Sequence, residues 1–118
     1  MRKFSFVLWV ICVLLFVNIQ KLNAAEWPVG TTGHLVQACS QRDGILAGYC
    51  RGMVTGISVI ISANSELRPR PPFHACIGNV NTGTIIQKFL IWAGRNSTRL
   101  NEEAPIGFTR YLMDTFPC

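Results

Sequence analysis

Four cysteines, Cys39, Cys50, Cys76 and Cys118, follow an apolar leader, and this combination limits the fold more than any other feature. Arg2 and Lys3 open the chain, Phe4 to Val17 is a fourteen-residue run that is apolar but for Ser5, and Ala24 and Ala25 close a more polar stretch. A basic start, a short apolar core and small residues at its end are the pattern of a cleaved secretory signal peptide, here residues 1–24, cut after Ala24 or Ala25. The run is shorter than the ~20 apolar residues that a membrane span needs. Cys12 has no small residue before it and is not read as a lipid-attachment site. Export places the remaining domain, residues 25–118, in an oxidising compartment, where an even number of cysteines in a short chain reads as a disulfide framework. A periplasmic location is expected, with no membrane association once the leader is removed.

Losing the leader changes the charge. Arg2, Lys3 and Lys21 leave with it, so eight basic residues face six acidic ones and the net charge falls from +5 to +2. The remaining cations form no dense patch, which argues against nucleic-acid binding. Metal binding has no better support. There is no CxxC, His34 and His74 are far apart, and His74-Ala75-Cys76 is a weak pair. No metal or cofactor is expected.

Four helices are predicted. Thr31 or Thr32 caps the first, which runs through Gln41 with Leu35, Val36, Ala38 and Cys39 inward. Arg42-Asp43-Gly44 signals a turn. The second runs from Ile45 to about Ala63 and is almost wholly apolar, with some strand character at Ile57 and Val59–Ile61. Arg51 near its middle is costly in lipid, so a buried bundle helix is preferred to a second membrane span. Gly48, Gly52 and Gly56 share one face of this helix, and each costs ~1 kcal/mol of helix propensity relative to alanine. Such a face is expected where another helix packs closely.

Pro69, Pro71 and Pro72 exclude regular helix from Asn64 to Phe73, leaving an extended arm that carries Arg68 and Arg70. Asn81 or Thr82 caps the third helix, whose stripe is Ile85, Ile86, Phe89, Leu90, Trp92 and Ala93, with Gly94 just past its end. Asn101 caps the last helix. Glu102 and Glu103 sit in its first turn, and Ala104, Phe108, Tyr111, Leu112 and Thr115 or Phe116 face inward. Short links favour an up-down-up-down bundle, all-α and disulfide-stapled. In that order Cys39 and Cys50 share one end, while Cys76 and Cys118 share the other. Of three connectivities, the predicted pairs are Cys39–Cys50 and Cys76–Cys118. No catalytic residue is assigned. Tyr49, His34 and His74 form no recognisable constellation, and pairing the cysteines removes any thiolate nucleophile.

Cys50-Arg51-Gly52-Met53-Val54-Thr55-Gly56-Ile57 resembles the C-x-G-Y-[IV]-x-G-[VI] helix of the Rap/Tai immunity proteins. Further matches follow in order: Cys76-Ile77, the Arg99-Leu100-Asn101-Glu102-Glu103-Ala104 segment, and the closing Phe116-Pro117-Cys118. Met53 stands where the family prefers tyrosine, and Gly78 where it has proline. The resemblance implies a periplasmic, all-helical, dimeric protein that blocks the catalytic cleft of a peptidoglycan amidase toxin delivered by type VI secretion. On that reading the arm is the projecting element, and Arg68, Arg70, Phe73 and His74 are the expected partner contacts, since arginines and aromatics are enriched at interface hot spots. The competing expectation is an envelope protein that holds a small apolar ligand between its helices.

Overall fold

The computed structural model describes Val7, residues 9–12 and residues 27–118. The leader expected at 1–24 otherwise lies outside the described residues. Four helices make the body: α1 (Thr32–Cys39), α2 (Gly44–Glu66), α3 (Thr82–Arg95) and α4 (Ala104–Thr115), with a 3₁₀ turn at Ser97–Arg99. Among the described residues there is no strand, only an isolated antiparallel bridge between Thr31 and Glu103.

Local chemistry sets the ends of these helices. Thr31 Oγ1 accepts from His34 N at 3.2 Å and Asn81 Oδ1 from Thr84 N at 2.8 Å. Each cap satisfies one orphan amide and contributes ~1 kcal/mol. α1 stops at Cys39, short of the expected Gln41, where the Ser40 hydroxyl donates to Val36 O at 2.8 Å. α2 is one continuous helix without the strand character of its Ile/Val run, and it continues three residues past Ala63. Gly94 lies inside the last turn of α3, and Asn96 ends that helix by donating its side-chain amide to Trp92 O at 2.8 Å. α4 begins at Ala104, not after an Asn101 cap. Glu102 and Glu103 precede it because α1 claims their backbone: Thr32 N donates to Glu102 O at 2.8 Å and Ala104 N to Gly30 O at 2.8 Å.

All four helices touch one another. Their shared core is Leu35, Val54, Phe89, Phe108, Tyr111 and Leu112, each 0% exposed. Phe89, Phe108 and Tyr111 form an aromatic triangle with ring centroids 5.0–5.3 Å apart. Two polar bonds tie α3 to α4 around it. Tyr111 OH donates to Ile85 O at 2.6 Å, and Trp92 Nε1 donates to Asp114 Oδ2 at 3.0 Å. Fully buried aromatics contribute most per residue to such a core, and their polar atoms need partners.

The disulfides join Cys39 to Cys50 and Cys76 to Cys118, each with Cα atoms 5.0 Å apart. Cys39 ends α1 and Cys50 lies in the second turn of α2. Cys76 precedes α3 and Cys118 follows α4, and Cys76 N also donates to Phe116 O at 2.9 Å. A strict up-down order would set the start of α1 and the start of α4 at opposite ends. Here those two starts are bonded together, because α1, with only eight residues, does not run the length of the body.

Within the described residues, no close neighbour meets the glycine face of α2. A Cβ at Gly48, Gly52 or Gly56 would meet nothing within 4 Å. The three glycines point away from Ala47, Cys50, Val54, Ile61 and Ser65, the residues by which α2 enters the core. The close approaches fall at Gly33, beneath the Trp27 ring, and at Gly107, where a Cβ would land on Thr32. α2 is long and apolar enough to cross a membrane by length and composition, but one face of it is committed to this core.

Candidate functional site

The arm expected from the prolines is a loop between α2 and α3, and its backbone is tied down along its length. Arg68 Nη1 donates to Ser65 O at 2.9 Å and to Leu67 O at 2.8 Å, and Arg70 Nε donates to Ser65 O at 3.0 Å. Both guanidinium groups therefore fold back over the C-terminus of α2. Cations there satisfy orphan carbonyls and complement the helix dipole. Asn64 Nδ2 holds Phe73 O at 2.8 Å. His74 Nδ1 lies 2.5 Å from Pro71 O, a contact that requires the proton on Nδ1. Ala75, 0% exposed, donates its amide to Ile61 O at 3.4 Å and anchors the far side of the loop.

These bonds sort the four predicted contact residues. Arg68, Arg70 and His74 spend hydrogen-bonding groups on the loop itself. Phe73 is different: its carbonyl is fixed while its ring is presented to solvent, 62% exposed. The loop thus holds one large aromatic side chain outward on a backbone with little freedom left to lose.

Phe73 also lines an open groove of about 580 Å³ between α4 and the second half of α2. Ile60 and Ile61 contribute from α2, and Ile106 and Met113 from α4, with Arg110 and Asp114 supplying charge. Arg110 is held by Glu102, Nε to Oε2 at 3.2 Å, while Glu102 Oε1 takes Arg99 Nη1 at 3.0 Å. Ile60 and Ile106 are 62% and 49% exposed, so the groove offers an apolar surface to water. Reading the sequence for the buried stripe passes over these residues. Their signal is that they are aliphatic and lie off the stripe: Ile106 falls between Ala104 and Phe108, and Ile60 beside Ile61.

A second groove, of about 520 Å³, opens beside the Cys39–Cys50 bond and is lined by Arg42, Arg51, Thr55 and Thr82. The outward face of α2 makes a third surface, where Ile45 and Val59 flank the three glycines. A helix facing only water usually carries charge on that side. Here Glu66, at its end, is the acidic residue that joins the face. Among the described residues no three His, Cys, Asp or Glu side chains gather to hold a metal.

Two disulfides, a fixed loop and exposed apolar surfaces define a small helical binding protein of an oxidising compartment. The profile of the Rap1a immunity proteins matches residues 31–118, and the chain belongs to that family. Its function is therefore that of an immunity protein, whose partner is a toxin effector. Comparison with curated proteins and with solved structures gives no match.

Proposed function

We propose that this protein acts in the periplasm, after loss of its leader, where it binds a peptidoglycan amidase delivered by type VI secretion and occludes that enzyme's active-site cleft. The observation that carries this reading is the tied loop between α2 and α3. Blocking a cleft calls for a projecting group that is already ordered, because each side chain or loop frozen on binding weakens affinity. Phe73 meets that requirement, and the adjoining groove at Ile60 and Ile106 widens the apolar contact. Arg68, Arg70 and His74 act first as braces for the loop, and their outer edges serve as polar contacts around the aromatic anchor.

The protein works as a homodimer on this reading, through the outward face of α2. Three glycines in a helix interior cost helix propensity, and among the described residues no group of the same chain packs against them. A second copy of α2 laid across Gly52 would cover that face. Each protomer would keep its loop free.

Inhibition of a purified periplasmic amidase effector by the oxidised protein tests the proposal. Stoichiometric loss of peptidoglycan cleavage is expected, with at least about tenfold weaker inhibition by Phe73→Asp, in the range for a central aromatic hot spot. Full inhibition by the variant removes the loop from the mechanism. The groove also favours a second reading, an envelope protein that takes a small apolar ligand there; lipid copurifying with the mature protein would support it.

A further inference from the structure

The two disulfides differ in exposure. Cys39 and Cys50 are 8% and 2% exposed, packed where α1 meets α2. Cys76 and Cys118 are both exposed. A thiolate must reach one sulfur of a disulfide along the S–S axis, so access sorts bonds that are otherwise chemically alike. Cys39 and Cys50 line the groove beside Arg42, but they present little of their surface to it. The second bond joins two residues that both lie at the surface.

Their positions differ as well. Cys76 lies three residues past Phe73, at the foot of the tied loop, and Cys118 lies four residues past Asp114, beyond the end of α4. The bond between them ties the foot of the loop that carries Phe73 to the segment that follows α4, whose Met113 and Asp114 line the apolar groove. Besides it, the backbone bond from Cys76 N to Phe116 O links the same two segments. Cys39–Cys50 lines the other groove, beside Arg42.

We propose that Cys76–Cys118 is a redox-addressable clasp on the loop and groove, opened selectively by a dithiol, while Cys39–Cys50 is a sealed structural bond. In the opening step one thiolate of the dithiol attacks Sγ of Cys76 or Cys118, and the other cysteine leaves as a thiolate and takes up a proton. The second thiol of the reductant then resolves the mixed disulfide. Two electrons and two protons pass to the cysteine pair, and the dithiol departs as its own disulfide. With the clasp open, residues 67–76 and the end of α4 lose their covalent link, and the loop that fixes Phe73 gains freedom. The clasp goes beyond the inhibitor reading and does not depend on it, since no partner takes part.

Graded dithiothreitol treatment of the native mature protein, quenched with N-ethylmaleimide and read by peptide mapping, tests it. Cys76 and Cys118 should be labelled at least about tenfold faster than Cys39 and Cys50, as access to the sulfur dictates. Hydrogen exchange on the partly reduced species should show faster exchange in residues 67–76 and 113–118, with 32–50 still protected. Labelling of Cys39 and Cys50 first, labelling of all four together, or an unchanged loop after selective reduction would each overturn the proposal.

Discussion

Glycine has opposite meanings at two positions in this chain. Gly107 starts the tight contact between α4 and α1, and a methyl group there would strike the Thr32 side chain. Gly107→Ala should lower stability by about 1–3 kcal/mol through overpacking, read as the urea midpoint. Gly52 meets nothing, so Gly52→Ala should raise the stability of the single protomer by up to about 1 kcal/mol through helix propensity alone. A loss at Gly52 would mean that the face is packed even in the monomer. Tyr111 gives the stability a pH dependence at alkaline pH. Burial raises its phenol well above the ordinary value, and the hydroxyl is bonded to Ile85 O. Below about pH 10 the folded and unfolded chains hold the same phenolic proton and Tyr111 contributes nothing to pH dependence. Above it the unfolded chain releases that proton while the folded chain keeps it, so stability falls as pH rises. Thermal melts from pH 8 to 11 should show this loss, and Tyr111→Phe should flatten the alkaline limb while costing about 1 kcal/mol near neutrality for the missing bond.

At the scale of elements, the loop is stiff because α2 needs it to be. The C-terminus of α2 is capped by guanidinium groups that come from the loop, so helix end and loop order each other. Arg68→Ala with Arg70→Ala should fray the last turn of α2 and speed amide exchange through residues 64–76, at a total cost of about 1–2 kcal/mol from lost cap bonds. Little change in exchange would show that Asn64 and the buried Ala75 suffice. The helices themselves were legible in the sequence: Ile85, Phe89, Trp92 and Ala93 declare α3 by their spacing, and Phe108, Tyr111 and Leu112 declare α4. Thr31 and Asn81 stand as caps where their chemistry suggests. The start of α4 was not legible at Asn101, because residues 101–103 take their conformation from Thr32, about seventy positions away in the chain. The bracing role of the arginines was not legible for a similar reason. Charge marks a residue as exposed, but only the fold shows that Ser65 O waits within reach of both.

At the scale of the whole molecule, the protein is a helical body closed by two disulfides, with apolar surfaces left open to a partner. The glycine face of α2 shows how far sequence could go. The ladder signalled a close neighbour, and the described residues supply none; on the proposed reading a second copy does. Light scattering on the mature protein should report a dimer, and Gly52→Glu should yield a folded monomer; a wild-type monomer at all workable concentrations would leave that face without a role. On the proposed reading, the oxidised body stops an amidase toxin by presenting Phe73 and the groove beside it. Titrating the oxidised protein into a purified peptidoglycan amidase effector and following cleavage should give inhibition that saturates at one protomer per enzyme and is lost with Phe73→Asp in a variant that melts like the parent. An enzyme that keeps full activity at saturating concentrations of the native protein would contradict it.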